Sequence, residues 1–341
     1  MRALKALETI LVLIFLLTTF TSLGFFQPVS AAGLILTVTP DRTFYLIEDL
    51  LSGELDQINI QANLTLDGTP VPDGLIALEV RAQTSYNSSI VFRTLQTDTP
   101  PTNVNINITK AFPANSTAEP IDSIVYESIA TYFFAEVKNI GSYPLTSVLI
   151  TVNFYQNLRP FHNPIQYFIS YLAVNGTTSM HLPVPIPWDW VSIGTVVAHV
   201  SVFSDYPRNG GFAYCPEKTS AFEIVEYGTP PSGTSPPSGS QNYNLTFKFP
   251  PDSKQGTYNI YGVGHHGMEY TGVVGQQIAI KLPGDGDKSG KVDLVDLFAL
   301  TAAYGSKLGD DNYDVRYDIN EDGKINWWDL FTLAANYGRK A

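Results

Sequence analysis

Two short acidic stretches near the end of the chain carry the residue types best suited to metal chemistry. DGDKSGKVDLVD occupies residues 285–296, and DINEDGKINWWD occupies residues 318–329. Both stretches place oxygen-bearing side chains at positions 1, 3, 5, 9 and 12, with a glycine at position 6. Calcium takes six to eight oxygen ligands, and a twelve-residue loop supplies them from positions 1, 3, 5, 7, 9 and 12. The spacing therefore predicts two Ca²⁺ sites.

The candidate ligands can be assigned position by position. In the first loop they are Asp285, Asp287, Ser289, the Lys291 carbonyl, Asp293 acting through a water, and Asp296. In the second loop they are Asp318, Asn320, Asp322, the Lys324 carbonyl, Asn326 and Asp329. The glycines at position 6 permit the sharp turn that such a loop needs. Hard oxygen ligands without His or Cys argue against zinc or copper as the intended metal.

A second repeat follows each acidic loop. The segments DLFALTAAYG, residues 296–305, and DLFTLAANYG, residues 329–338, share a helical pattern of apolar residues and end in glycine. Glycine is the residue that most often ends a helix. Helices of this length do not persist alone in water. We therefore expect the two helices to pack against each other, with the loops fixed by metal.

This arrangement of loop and helix, linker, loop and helix resembles a type I dockerin over residues 284–340. The resemblance implies a small all-α module that folds with calcium and docks onto a cohesin module of a partner protein. It also implies that loop positions 10 and 11 contact that partner, namely Leu294, Val295, Trp327 and Trp328. These residues depart from the Ser/Thr pair common in dockerins of cellulosomes. The two copies also differ from each other, so a symmetric docking mode does not follow from the resemblance.

Composition places the remainder of the chain among β-rich extracellular proteins. The 341 residues include 26 Gly and 23 Pro, and only 15% are charged, while 12% are aromatic. The formal net charge of −12 argues against nucleic-acid binding, because phosphate recognition needs a basic surface. The single cysteine, Cys215, excludes an internal disulfide framework and is interpreted as a buried structural thiol.

The first 32 residues have the pattern of a secretory signal peptide. Arg2 and Lys5 precede an apolar run, and small residues offer cleavage after Ala31 or Ala32. The alternative is an uncleaved membrane anchor, since the apolar run is nearly long enough to span a bilayer. An extracellular location is supported by candidate N-glycosylation sequons at Asn63, Asn87, Asn107, Asn115, Asn175 and Asn244.

Alternating apolar residues and frequent turns predict β-sandwiches between the signal and the acidic loops. Residues 33–100 resemble a macroglobulin-type, immunoglobulin-like sandwich, residues 101–120 form a linker, and residues 121–282 resemble a second immunoglobulin-like region. A Pro/Ser/Gly stretch interrupts the second region at residues 227–241. We expect the strands after it to complete that second sandwich, and the alternative is a separate small domain. Residues 283–341 then form the dockerin-like domain.

The resulting prediction is a mostly β protein with tandem immunoglobulin-like sandwiches and a small calcium module. The chain contains no Gly-x-Ser-x-Gly elbow, phosphate loop or Rossmann fingerprint, which favours a secreted, non-catalytic surface protein over an enzyme. One alternative is an accessory or catalytic component of polysaccharide degradation, for which Trp188 and Trp190 could stack on a sugar. Another alternative is an adhesin anchored in the membrane by its N-terminal segment.

Overall fold

The chain is mostly β-structure. The computed structural model describes residues 33–46, 57–83, 89–101, 103–126, 131–161, 163–227, 243–250, 253, 255–320 and 322–340. The predicted signal segment, Asn87 and nearly all of the Pro/Ser/Gly stretch lie outside the described residues. None of the described helices has the length and hydrophobicity needed to cross a bilayer.

The described strands are numbered here in chain order. The first six are β1 Leu34–Pro40, β2 Phe44–Leu46, β3 Gln57–Leu66, β4 Thr69–Pro70, β5 Leu75–Ala82 and β6 Ser89–Leu95. The next nine are β7 Ile106–Ala114, β8 Ser123–Val125, β9 Tyr132–Asn139, β10 Val148–Gln156, β11 Arg159–Pro160, β12 Ile165–Ile169, β13 Thr177–Pro183, β14 Gly194–Phe203 and β15 Lys218–Val225. The last four are β16 Asn244–Lys248, β17 Gly256–His266, β18 Glu269–Tyr270 and β19 Val274–Lys281.

Strands from both ends of the β-rich region build the first sandwich. One sheet has the order β1-β3-β16 with β4 on β3, and the other has the order β2-β19-β17-β5-β6 with β18 on β17. Alternation along β3 buries Ile58, Ile60 and Leu64 in the core between these sheets, as the sequence predicts. The Asp67-Gly68 turn that follows has positive φ at both residues, which suits a tight hairpin.

The middle of the chain builds the second sandwich. Its sheets have the orders β13-β9-β7 and β11-β10-β14-β15-β8, with β12 on β10. The core between them is formed by aliphatic and aromatic residues such as Phe133, Ile150, Phe154, Val200 and Phe222. The strands β9 and β10 are consecutive in the chain but lie in opposite sheets, so the turn between them crosses the sandwich.

The second sandwich is an insertion within the first, which corrects two predicted boundaries. The strand β16 pairs with β3, and β17 pairs with β5. The expectation that residues 244–281 complete the second sandwich is therefore wrong. The predicted linker at residues 101–120 is also wrong over residues 106–114, because β7 pairs there with β9.

The two sandwiches pack against each other face to face. Every residue of β6 and of β10 is buried, so these strands are covered on both faces. Phe92 and Phe203 lie in the apolar layer between the sandwiches, with ring centroids 6.2 Å apart. The Asn153 side chain crosses the layer, accepting from the Phe92 amide at 2.7 Å and donating to the Ile90 carbonyl at 3.1 Å.

A buried ionic network joins the two sandwiches beside this layer. Arg93 of β6 donates to both carboxylate oxygens of Glu217 in the second sandwich, at 2.8 and 2.7 Å. Nδ1 of His199 lies 3.0 Å from the same carboxylate. Burial raises the pKa of Glu217, but the charge of Arg93 overcomes this effect and holds that pKa well below its usual 4.5. Burial and the nearby Arg93 charge lower the pKa of His199 below its usual 6.5.

This network should make the stability of the chain depend on pH. Because His199 and Glu217 have lowered pKa values in the folded state, the unfolded chain binds more protons, and stability is lost as the pH falls. We expect the loss from His199 to begin below about pH 6.5 and that from Glu217 to follow at lower pH. Urea unfolding of the wild type and of His199→Gln between about pH 7 and 5 should show a shallower pH dependence in the variant. Parallel curves would contradict the assignment.

The C-terminal residues form a compact module with two helices, α1 Leu294–Ala303 and α2 Trp327–Ala335. Val292, Leu300, Ile325 and Leu333 are fully buried in its core. The beginning and end of the module are tied together, since the Val292 amide donates to the Arg339 carbonyl at 3.1 Å. Phe44 of the first sandwich also packs against this core.

Candidate metal centre

Each acidic loop is positioned by a helix that begins inside it. Asp293, at position 9 of the first loop, caps α1 by accepting a hydrogen bond from the Val295 amide at 2.9 Å. Asn326, at the same position of the second loop, caps α2 through the Trp328 amide at 2.9 Å. Asp and Asn are favoured at helix N-caps because their oxygens satisfy amides that lack an intrahelical partner. One residue thus both starts the helix and faces the loop.

The aspartates at position 12 hold the two ends of each loop together. Asp296 accepts from the Gly286 amide at 2.9 Å and from the Asp293 amide at 3.0 Å. Asp329 accepts from the Ile319 amide at 2.7 Å and from the Asn326 amide at 2.8 Å. Both side chains are 0% exposed. The same network is therefore formed by positions 2, 9 and 12 in both copies.

The aspartates at position 1 organise the turn around the glycine. Asp285 accepts from the Ser289 amide at 3.0 Å and from the Gly290 amide at 2.9 Å. In the second loop, Asp318 accepts from the amide of Asp322 at 3.1 Å and from that of Gly323 at 2.9 Å. The glycines have φ of +81° and +79°, a region that L side chains oppose. In both copies, the aspartate at position 1 therefore bonds the backbone amides of positions 5 and 6.

The remaining candidate ligands lie around these aspartates. In the first loop, the Ser289 hydroxyl donates to the Lys291 carbonyl at 3.1 Å, and carboxylate oxygens of Asp285, Asp287 and Asp296 lie within 4.8 Å of one another. In the second loop, Asn320 accepts from the Asp322 amide, and Asn326 donates to the Asp322 carboxylate at 3.3 Å. Among the described residues, this triad of acids is the group close enough to share a metal ion. The second loop has fewer carboxylates because Asn occupies positions 3 and 9, and its Lys324 carbonyl stays a predicted ligand.

The electrostatics of the loops fit a divalent cation. The amides that bond Asp285, Asp296, Asp318 and Asp329 orient these carboxylates but do not neutralise them. Burial raises the pKa of Asp285, and the neighbouring Asp287 and Asp296 add to this effect. Burial also raises the pKa of Asp329. Clustered, partly dehydrated carboxylates are stabilised by a cation, and oxygen-only ligands suit Ca²⁺ or Mg²⁺.

Two tyrosines that the sequence pattern did not single out support the loops. The Tyr313 hydroxyl donates to Oδ2 of Asp318 at 2.5 Å, and this hydrogen bond raises the pKa of Tyr313 to about 12. Tyr317 is buried against the first loop, where a Cβ at Gly286 would lie only 2.4 Å from its ring. Each tyrosine precedes the second loop by a few residues. Since neither belongs to the repeated pattern, only the fold reveals its role.

Comparison with known proteins adds little to this geometry. No protein-family model matches the chain, and no curated protein matches it. Among solved structures, the chain is similar to dimeric latent PorU from Porphyromonas gingivalis, with a TM-score of 0.21 and 10% identity. The similarity covers 73% of this chain and 34% of that chain, so the chain spans about a third of the length of PorU. A likeness at this TM-score carries no conclusion about fold or activity.

The predicted partner-binding residues are exposed on the module. Trp327 and Trp328 are 59% and 58% exposed, and Leu294 and Val295 are also more than half exposed. The Trp327 ring lies 6.1 Å from the Phe331 ring, one helical turn further along α2. Loop positions 10 and 11 therefore present apolar side chains to solvent in both copies.

The predicted N-glycosylation sites lie mostly at the surface, whereas the single cysteine lies in the core. Among the described sequons, Asn63, Asn107, Asn175 and Asn244 are exposed, and Asn115 is half-buried and accepts hydrogen bonds from its own turn. Cys215 is buried as predicted, and burial raises the pKa of its thiol to about 12.

The two tryptophans considered for sugar stacking are already in contact with other rings. The Trp188 ring lies 5.3 Å from that of Tyr126, and the Trp190 ring lies 5.8 Å from that of Phe161. Both tryptophans are partly buried against the core of the second sandwich. This packing favours a structural role, and polysaccharide binding at this position stays a hypothesis.

Proposed function

We propose that this chain is a secreted, non-catalytic surface protein whose C-terminal module binds two Ca²⁺ ions and docks onto a cohesin-type module of a partner protein. The observation that carries the proposal is the duplicated network at positions 1, 2, 5, 6, 9 and 12 of the two loops. Asp285 and Asp296 would hold the first ion, and Asp318 and Asp329 the second, with the other predicted ligands completing each shell. Calcium would supply the positive charge that fixes these loops, and through them the starts of α1 and α2.

The exposed side chains at positions 10 and 11 would form the docking surface. Large aromatic residues are enriched among the side chains that dominate binding energy at protein interfaces. Trp327 and Trp328 begin α2, and Leu294 and Val295 begin α1, so the loop that holds each ion also orients the contact residues. In this proposal calcium acts on docking indirectly, by fixing the helix ends that carry the contacts.

The two sandwiches would act as a rigid spacer. Their shared apolar layer and the Arg93–Glu217 ion pair fix one sandwich against the other. The module follows β19 directly in the chain. A turn joins the two, in which the Asp285 amide donates to the Leu282 carbonyl at 3.0 Å. The spacer would therefore present the docking surface in a fixed direction.

The proposal can be tested by capture on immobilised cohesin modules. We expect the full chain to bind a member of a cohesin panel in Ca²⁺, to be released by a chelator, and to bind again when Ca²⁺ is restored. The chain with Asp285→Ala and Asp318→Ala should not be captured. Capture that persists in chelator, or no capture by any cohesin, would count against the docking proposal.

The tryptophans should contribute most of the docking energy. We expect the Trp327→Ala and Trp328→Ala double variant to bind the captured cohesin at least about tenfold more weakly, because buried aromatic anchors at interfaces typically contribute more than 1–2 kcal/mol. Leu308→Ala is a matched control, since Leu308 is an exposed apolar residue of the same module outside positions 10 and 11. Titration calorimetry of the three proteins in Ca²⁺ measures the difference. Equal weakening by the control would show that the effect is not specific to the docking surface.

A further inference from the structure

Two neighbouring loops at one end of the second sandwich are held together by one buried side chain. Asn139 is 0% exposed, and its amide nitrogen donates to the Tyr143 carbonyl at 2.9 Å and to the Leu172 carbonyl at 3.2 Å. Its amide oxygen accepts from the Gly141 backbone at 2.9 Å. A further pair of backbone hydrogen bonds joins Leu145 and Leu172 at 2.9 and 2.8 Å. The loops at residues 139–147 and 170–176 are therefore ordered relative to each other before any partner binds.

These two loops display large uncharged side chains to solvent. Tyr143 is 77% exposed and Tyr171 is 59% exposed, and Ile140 and Val174 are exposed beside them. Neither loop contains Asp, Glu, Lys or Arg, in a chain whose net charge is −12. The remaining residues are mainly Ser, Gly, Asn, Thr and Leu. Tyrosine with Ser, Gly and Asn is the composition of antibody binding loops, where rigid aromatic rings provide contact area at a small entropic cost.

An apolar cleft of about 480 Å³ adjoins the first of these loops. Ile140 lines the cleft, together with Pro100, Pro101, Val104 and Pro216. The Ile140 amide donates to the Asn105 carbonyl at 2.9 Å, which ties the loop to the segment that forms the cleft wall. The cleft and the two loops are therefore continuous, and together they are called the loop–cleft surface.

The charged groups of the cleft are already bonded within the protein. The Lys218 ammonium donates to the carbonyls of Ile108 and Thr109 at 3.1 and 3.0 Å. The Glu217 carboxylate is bonded to Arg93 and His199. A ligand group that enters the cleft therefore meets mostly apolar atoms and gains from burial rather than from hydrogen bonds.

From this geometry we propose that the loop–cleft surface binds an uncharged segment of a partner protein, with one large apolar side chain of that segment in the cleft. A neutral glycan fits less well, because its many hydroxyl groups need hydrogen-bond partners, and among the described residues of the cleft Asn107 is the single uncharged amide or hydroxyl side chain. The described lining of the cleft also contains no aromatic ring, so a sugar that entered the cleft would have no flat face on which to stack. The absence of charge in both loops disfavours an acidic or basic segment, since a buried unpaired charge is strongly unfavourable. This surface uses no calcium ligand, so its binding does not depend on the docking module.

The test uses a phage-displayed library of random peptides, selected against the full chain produced without N-glycans. The absence of glycans matters because Asn107 lines the cleft and Asn175 lies in the second loop. We expect enriched peptides with a large apolar residue between uncharged neighbours, and equal binding in Ca²⁺ and in chelator. Binding of the synthetic peptides should weaken at least about tenfold in Ile140→Asp and in the Tyr143→Ala, Tyr171→Ala double variant.

The matched control is Tyr227→Ala, which removes an exposed tyrosine that follows β15 and is not part of the loop–cleft surface, and it should leave peptide affinity unchanged. Circular dichroism melting of each variant shows that the fold is retained. The proposal is overturned if no peptide is enriched, if the enriched peptides are charged, or if they bind the variants as tightly as the wild type. It is also overturned if sedimentation shows self-association that the same variants abolish, or if a neutral polysaccharide binds the wild type and not the tyrosine variant.

Discussion

Replacing Glu217 by leucine should lower the free energy of unfolding of the full chain by about 3–5 kcal/mol. The change leaves the Arg93 guanidinium buried between the two sandwiches without its carboxylate partner, at a place where the arginine is only 7% exposed. Removing one partner of a buried ion pair destabilises the folded state by more than the intact pair stabilises it, because the remaining charge stays dehydrated. Urea unfolding of the full chain at neutral pH gives the difference.

The double variant Arg93→Met, Glu217→Leu separates this effect from a general loss of packing. It removes both charges and fills the layer with apolar side chains, so we expect it to recover most of the stability lost in the single variant. Lys110→Ala is the control at the surface, since Lys110 and Glu136 lie 3.5 Å apart with the lysine exposed. Exposed pairs of this kind contribute about 0–1 kcal/mol. A double variant no more stable than the single one would show that the charge is not the cause.

Removing calcium should unfold the C-terminal module while both sandwiches stay folded. The four aspartates at positions 1 and 12 are buried and clustered, so their repulsion and dehydration oppose folding unless a cation is present. At a free Ca²⁺ concentration about 1,000 times the Kd, each ion would stabilise the folded module by about 4 kcal/mol. We therefore expect the helical band in far-UV circular dichroism to fall in chelator and to return with Ca²⁺. Among the described residues, α1 and α2 are the α-helices that contribute to this band.

Variants and a luminescent ion distinguish the two loops in this experiment. Asp285→Ala with Asp318→Ala should behave in Ca²⁺ as the wild type does in chelator, and the exposed Asp311→Ala should not differ from the wild type. Terbium can replace calcium, and tryptophan excitation should sensitise it in the second loop, where Trp327 and Trp328 occupy positions 10 and 11. Asp318→Ala should therefore abolish that emission, and Asp285→Ala should retain most of it. An unchanged helical band in chelator would contradict the metal assignment.

The hydrogen-bonded shape of the two acidic loops could be predicted from the sequence because its information is local. Twelve consecutive residues specify the turn glycine, the N-cap and the acids, so Asp293 and Asp296 fall at fixed distances along one segment. Tyr313 and Tyr317 could not be predicted in the same way. Their contacts with Asp318 and Gly286 depend on how the linker between the two copies folds back.

The insertion of one sandwich into the other could not be predicted from alternation. The segment NLTFK in β16 has the same pattern whether it pairs with a strand of the first sandwich or of the second. Its partner β3 lies far away in the chain, and nothing in either strand specifies the other. The packing of the two sandwiches was equally hidden, because β6 and β10 contain polar residues such as Arg93 and Asn153 although every residue of both strands is buried. Those side chains are bonded across the layer, which only the fold reveals.

The inserted topology determines how the protein would respond to mechanical load. If a pulling force acts between β1 and the C-terminal module, the tension passes through the sheets of the first sandwich, because β1 and β19 both belong to it. The second sandwich is attached to β6 and β16, which belong to the two sheets of the first sandwich, so it carries no tension while the first stays intact. Rupture of the outer sandwich would then expose the inner one to the force as a second, separate barrier. The chain would extend in two ordered steps, and the shielded sandwich would always open last.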